Sequence, residues 1–157
     1  MNKYLAGLVM AGLTMAGSAF AESHMSEEDL MKAVTARQST MKLYAFNLGT
    51  LGAMARGTID YNAEAAEAAA GNLVKLSSMN QMAMWPAGSD MESLEGTKAL
   101  PALWDDMAGV GEAAAAMTEA AVAMEAAAGT DLASLQGAMG ALGGACGGCH
   151  KAYRASD

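Results

Sequence analysis

Cys146-Gly147-Gly148-Cys149-His150 is the stretch around which the rest of the sequence is arranged. Two cysteines two residues apart, followed at once by histidine, form the attachment pattern of a c-type haem. The thiols would join the porphyrin vinyl groups as thioethers, and the imidazole would face the iron. On a helix, Cys146, Cys149 and His150 stand at i, i+3 and i+4 and share one face. A disulfide is the ordinary state of two cysteines in an exported chain. A thioredoxin-like motif needs a βαβ setting that is absent here. Zinc needs four ligands, and the second histidine, His24, lies near the N-terminus and reads as solvent-exposed. The histidine directly after Cys149, an export signal and a helical frame favour one haem c per chain, with His150 as proximal iron ligand.

Residues 1–21 read as a cleaved signal peptide. Lys3 supplies the positive start, Tyr4 to Met15 are mostly apolar, and Ala19-Phe20-Ala21 is an A-x-A cleavage site, so the mature chain is expected to begin at Glu22. The apolar run is short for a retained anchor, and no other stretch spans a bilayer. Export together with haem c implies a bacterial periplasm. Lys3 is the single charged residue removed, so the formal charge goes from −8 to −9. That balance argues against nucleic acid or anionic lipid as partners. It permits a basic patch on a redox partner, and it is also an ordinary way to stay soluble.

The chain has 157 residues, enough for one domain, here 22–157. Alanine-rich runs such as Ala63-Glu64-Ala65-Ala66-Glu67-Ala68-Ala69-Ala70 favour helix. Few stretches alternate with period two, so the fold class is all-α. A first helix opens near Ser26, with Glu27, Glu28 and Asp29 at its positive end. Its stripe is Leu30, Val34, Arg37, Met41, Tyr44, Leu48, Leu51 and Ala55, and it ends around Gly57. A second runs from Asn62 to about Met79. A loop from Asn80 to about Thr97 is broken by Pro86, Gly88 and Gly96, and its length points to function as well as connection. A third helix starts near Pro101 and stops at Gly129, with Trp104, Met107, Val110, Ala114, Met117, Ala121 and Met124 as its stripe. A fourth, capped by Thr130 or Asp131, carries Leu132, Leu135, Met139, Leu142, Cys146, Cys149 and Tyr153. Short links inside each pair predict an antiparallel up-down-up-down four-helix bundle holding a covalent haem.

Arg37 stands where the first stripe should be apolar. An unpaired buried charge is costly, and two haem propionates would satisfy it through charge-assisted bonds; the plainer alternative is an edge position that snorkels to water. Met41, one turn on, reaches over the distal side of the iron, either as a ligand through sulfur or as filler. Arg154, four residues after His150, would tune the proximal side or bind a propionate, or would simply suit a helix C-terminus.

With these residues in place, the chain resembles the class II c-type cytochromes, the cytochrome c′ family, over nearly all of residues 22–157. Cys146 to Arg154 is similar to that family's C-terminal signature, and Ala36-Arg37-Gln38 is similar to its propionate-contacting Arg-Gln pair. Trp104 matches an aromatic near the start of the third helix. Thr97 falls where a polar haem contact is common. Met41 matches the distal position, and Arg37-x-x-x-Met41-Lys42 resembles the low-spin relatives that use methionine as sixth ligand. The resemblance implies a non-enzymatic carrier of single electrons with periplasmic redox partner proteins. Its alternative is a five-coordinate haem that takes up NO or CO, with Met41 as a steric gate. It also implies a homodimer through the first two helices. An enzymatic haem lacks a distal histidine or general acid near Met41.

Overall fold

The computed structural model describes residues 25–156. The segment read as a signal peptide and His24 lie outside the described residues. Five helices follow in order: α1 Glu27–Ala55, α2 Ala63–Ser77, α3 Ala102–Asp105, α4 Met107–Ala128 and α5 Leu132–Tyr153, with a 3-10 turn at Met82–Met84. Neighbours pack in the ring α1, α2, α4, α5 and back to α1. Short connections join α1 to α2 and α4 to α5. The architecture is the four-helix bundle expected, with α3 as a short extra turn.

Local chemistry sets the helix starts. The Ser26 hydroxyl accepts from Asp29 N–H at 3.2 Å, Asn62 Oδ1 from Ala65 N–H at 2.8 Å and Asp131 Oδ1 from Ser134 N–H at 2.7 Å. Each satisfies a first-turn donor that the helix leaves unpaired. α1 ends before Gly57, whose φ of +68° suits glycine. α2 stops at Ser77, short of Met79.

The third predicted helix is interrupted. Asp106 takes φ −129° and ψ 59°, and its Oδ1 accepts from Gly109 N–H at 2.9 Å. It therefore caps a new helix, α4, and leaves Trp104 on the preceding turn. Trp104 does not belong to the α4 stripe; its Nε1 donates to Trp85 O at 3.1 Å.

The close-packed core occupies one half of the bundle. Leu51, Met54, Leu73, Met124, Leu135 and Leu142 interlock there with buried alanines of α2 and α4. Toward the other end, Tyr44, Leu48, Val74, Met117 and Ala145 continue the inward faces but are only partly covered by protein. The N-terminal half of α1 packs under the 78–101 connection, burying Val34, Arg37 and Thr40 together with Ser89, Asp90 and Leu94.

Candidate functional site

α5 carries the sulfur and nitrogen donors on its last two turns. Cys146 and Cys149 are free, partly buried thiols. Burial raises both thiol pKa values, and the neighbouring Cys146 raises that of Cys149 further. Cys146 Sγ lies 3.8 Å from Met117 Sδ on α4. His150 follows on the exposed side of the same helix. Partial desolvation and then the Arg154 charge lower its pKa, which favours the neutral imidazole that binds metals.

α1 and α5 are antiparallel, which sets their register. Tyr44 is near enough to Cys146 for its charge to be felt, although burial is the main cause of the raised Tyr44 pKa. One turn toward the N-terminus of α1 is Met41, and one turn toward the C-terminus of α5 brings Cys149 and His150. Met41 thus lies toward the same end of the bundle as the histidine, on the stripe that leads to Leu48. It is 37% exposed, because the close-packed core does not extend to this level.

Arg37 sits a further turn down and is 3% exposed. Its guanidinium donates to Ser89 Oγ at 2.7 Å, Thr97 Oγ1 at 2.7 Å and Met84 O at 3.3 Å, and also to Ser89 O. Its carbon lies 4.7 Å from the Trp85 ring centre and 5.9 Å from that of Trp104, within cation–π range. Burial lowers the Arg37 pKa and the Asp90 charge opposes that. Burial pushes the Asp90 carboxyl up, but the Ser93 hydroxyl and the N–H groups of Ser93 and Glu92 together hold it below its usual value. The sequence argument placed Arg37 on a buried face, and it is there. The argument that burial demands a propionate is too narrow, because the connection itself supplies four acceptors and a nearby carboxylate.

Gln38 Nε2 donates to Gly96 O at 2.7 Å, so Arg37, Gln38 and Thr97 meet around one bend of the connection. Arg154 departs from its predicted position. α5 ends at Tyr153, and Arg154 is extended, with φ −129° and ψ 132°. It pairs with Ala99 as an isolated bridge, so it does not extend the helical face of His150, although its charge still reaches the imidazole.

Sequence reasoning missed the shell around Arg37 formed by Trp85, Ser89 and Asp90. The available signal was the length of the connection together with a buried cation in need of acceptors. It also missed the tie between Tyr153 and Asp106, in which the Tyr153 hydroxyl donates to Oδ2 at 2.7 Å.

The donor set suits a covalent haem. Two thiols and an imidazole share the end of one helix, at the end of the bundle where the inward side chains are only partly covered; Cys149 borders a shallow hollow between α4 and α5, and His150 is exposed. Among the described residues, no group of three or more His, Cys, Asp or Glu converges as a metal site.

The comparisons agree with this geometry. A family profile described as Cytochrome C′ matches residues 32–154. Cytochrome c-554 from Cereibacter sphaeroides is 45% identical over 126 residues, covering 80% of this chain and 95% of the relative. The solved cytochrome c′ from Rhodobacter Spheriodes superposes with a TM-score of 0.80 at 35% identity, covering 82% of this chain and 98% of that one. A ferrous variant of the cytochrome c′ from Alcaligenes xylosoxidans with bound NO superposes with a TM-score of 0.70 at 31% identity, covering 82% and 97%.

Proposed function

This chain belongs to the cytochrome c′ family, whose members carry covalent haem c, and we propose that it is a periplasmic carrier of single electrons rather than an enzyme. The haem supplies a one-electron iron couple. In this reading Cys146 and Cys149 hold the porphyrin, His150 is the proximal ligand and Met41 the sixth. Arg37, Gln38, Thr97 and Arg154 line the haem's edges, and Arg37 fixes the connection against α1 so that the edge is kept from water. The observation that supports the reading is the register of α1 against α5, in which Tyr44 lies near Cys146 and Met41 follows one turn nearer the end of the bundle that carries His150. Histidine and methionine together raise the potential of a c-type haem and leave no open coordination position.

Carbon monoxide tests this reading. The reduced protein is expected to take up CO slowly or not at all, because the gas must first displace Met41. Rapid uptake would assign the protein to gas binding, with Met41 as a gate. That second reading is favoured by the NO-bound relative. The Cys146→Ser/Cys149→Ser variant is expected to lose covalent haem altogether, which mass spectrometry of the denatured chain would register.

No helix among the described residues is long and apolar enough to cross a membrane. Export follows from the leader read in residues 1–21, and N-terminal sequencing of the periplasmic fraction beginning at Glu22 would bear that out.

A further inference from the structure

Tyr44 carries a hydroxyl group on the inward side of α1. That helix packs between α2 and α5. The phenol meets Gln81, which follows α2 in the chain, and lies near enough to Cys146 on α5 to feel its charge. It packs against the core from the end of the bundle where protein covers the side chains only in part.

Gln81 fixes the direction of this hydroxyl. Its Nε2 donates to Leu76 O at 3.0 Å and to Tyr44 Oη at 3.3 Å. Leu76 O is a backbone carbonyl near the end of α2. A carbonyl can only accept, so the NH2 end of the amide must face it. The second amide hydrogen then goes to Tyr44 Oη, which accepts. The proton of Tyr44 must therefore point away from Gln81. Among the described residues it has no acceptor. A phenol has an ordinary pKa of about 10, so the proton is present at neutral pH.

The position of Tyr44 on its helix suggests the acceptor. Tyr44 and Met41 are three residues apart and share one face of α1. A helical side chain leans back over the turn that precedes it, and that turn carries Met41. A donor covered without an acceptor is costly, so the site favours an electron-pair donor placed there.

We propose that the Tyr44 hydroxyl, aimed by Gln81, is the hydrogen-bond donor to the atom bound on the distal side of the haem iron. That atom is the Met41 sulfur in the electron carrier, or a small diatomic ligand where Met41 is displaced. This rests on the reading of His150 and Met41 as the axial pair, and it adds a third residue that sets the potential. A hydrogen bond to the sulfur draws electron density from it and so favours reduced iron.

Tyr44→Phe keeps the ring and removes the donor. Spectroelectrochemical titration of the holoprotein is expected to give a lower midpoint potential in the variant. Where the far-red sulfur-to-iron band shows Met41 bound, an unchanged or raised potential overturns the proposal.

A second readout does not need Met41 as a ligand. Met41→Ala opens the distal side of the reduced holoprotein to CO, and infrared spectroscopy reads the C–O stretch. That stretch is expected to shift on transfer to D2O. Adding Tyr44→Phe is expected to move it to higher frequency and to abolish the isotope shift. A ring that merely packs there carries no isotope shift. Absence of the shift in Met41→Ala overturns the proposal. So does a shift that persists with Tyr44→Phe, because water then supplies the proton. If the wild type lacks the far-red band, the axial role of Met41 fails by itself, and the C–O stretch still decides the role of Tyr44.

Discussion

At the scale of single residues, Arg37 shows how far a sequence pattern reaches. A cation standing at an apolar position of the period announces its own burial. Its partners are not legible, because Met84, Ser89 and Thr97 lie 47 to 60 residues away in a connection that has no period. Removing the guanidinium while keeping volume leaves the four acceptors at Met84, Ser89 and Thr97 without their donor and Asp90 without a nearby positive charge. Arg37→Met is expected to destabilise the holoprotein by about 2–4 kcal/mol. Arg37→Lys keeps the charge but loses the fork, and should cost about half as much. Urea unfolding followed by circular dichroism measures both, and a loss below about 1 kcal/mol for Arg37→Met would mean that the connection does not depend on Arg37. Met41 behaves differently: a partly exposed thioether contributes little to packing, so under the proposed ligation Met41→Leu should act through the iron rather than through the core.

At the scale of elements, capping and periodicity made most of the bundle legible. Ser26, Asn62 and Asp131 mark three helix starts because short polar side chains satisfy orphan N–H groups there. Asn62→Ala should cost about 1 kcal/mol in the same unfolding assay. The break between α3 and α4 was hidden because Trp104, Met107 and Val110 keep the spacing of threes running through it. Only Asp106 with Gly109 three residues later betrays it. Asp106 also ties the end of α5 to α4 through Tyr153. The Asp106 hydrogen bond, with lesser contributions from burial and nearby negative charges, pushes the Tyr153 pKa up to about 12. The same bond, first, and then Gly109 N–H lower that of Asp106. A raised tyrosine pKa means that its share of stability is complete below the ordinary value, about 10, and is lost as pH climbs through about 12. The Asp106 share is present above the ordinary carboxylate value and disappears as pH falls through the lowered one. Tyr153→Phe should therefore flatten stability at both ends of the pH range. Ultraviolet titration of wild type against this variant should show one phenol ionising well above the rest; a wild-type titration without that late step would contradict the tie.

At the scale of the whole molecule, two halves do different work. One is a close-packed core of Leu, Met and Ala that holds four helices in register. The other carries Tyr44, Leu48 and Met117, only partly covered by protein, with the cysteines partly buried and Met41 exposed. The division was not legible in the sequence, since both halves use the same small and sulfur-containing residues with the same period. What was legible was the cofactor, because two cysteines and a histidine at that spacing have few other uses. The central claim is the proposal that Met41 of α1 serves as sixth ligand across the haem from His150, which would make this member of the cytochrome c′ family an electron carrier. Its most direct test is the visible and far-red spectrum of the purified holoprotein, oxidised and reduced, beside that of Met41→Leu. The account predicts a weak far-red sulfur-to-iron band in the oxidised protein and sharp α and β bands in the reduced one, with the far-red band absent from the variant. A broad high-spin spectrum that Met41→Leu leaves unchanged would contradict it.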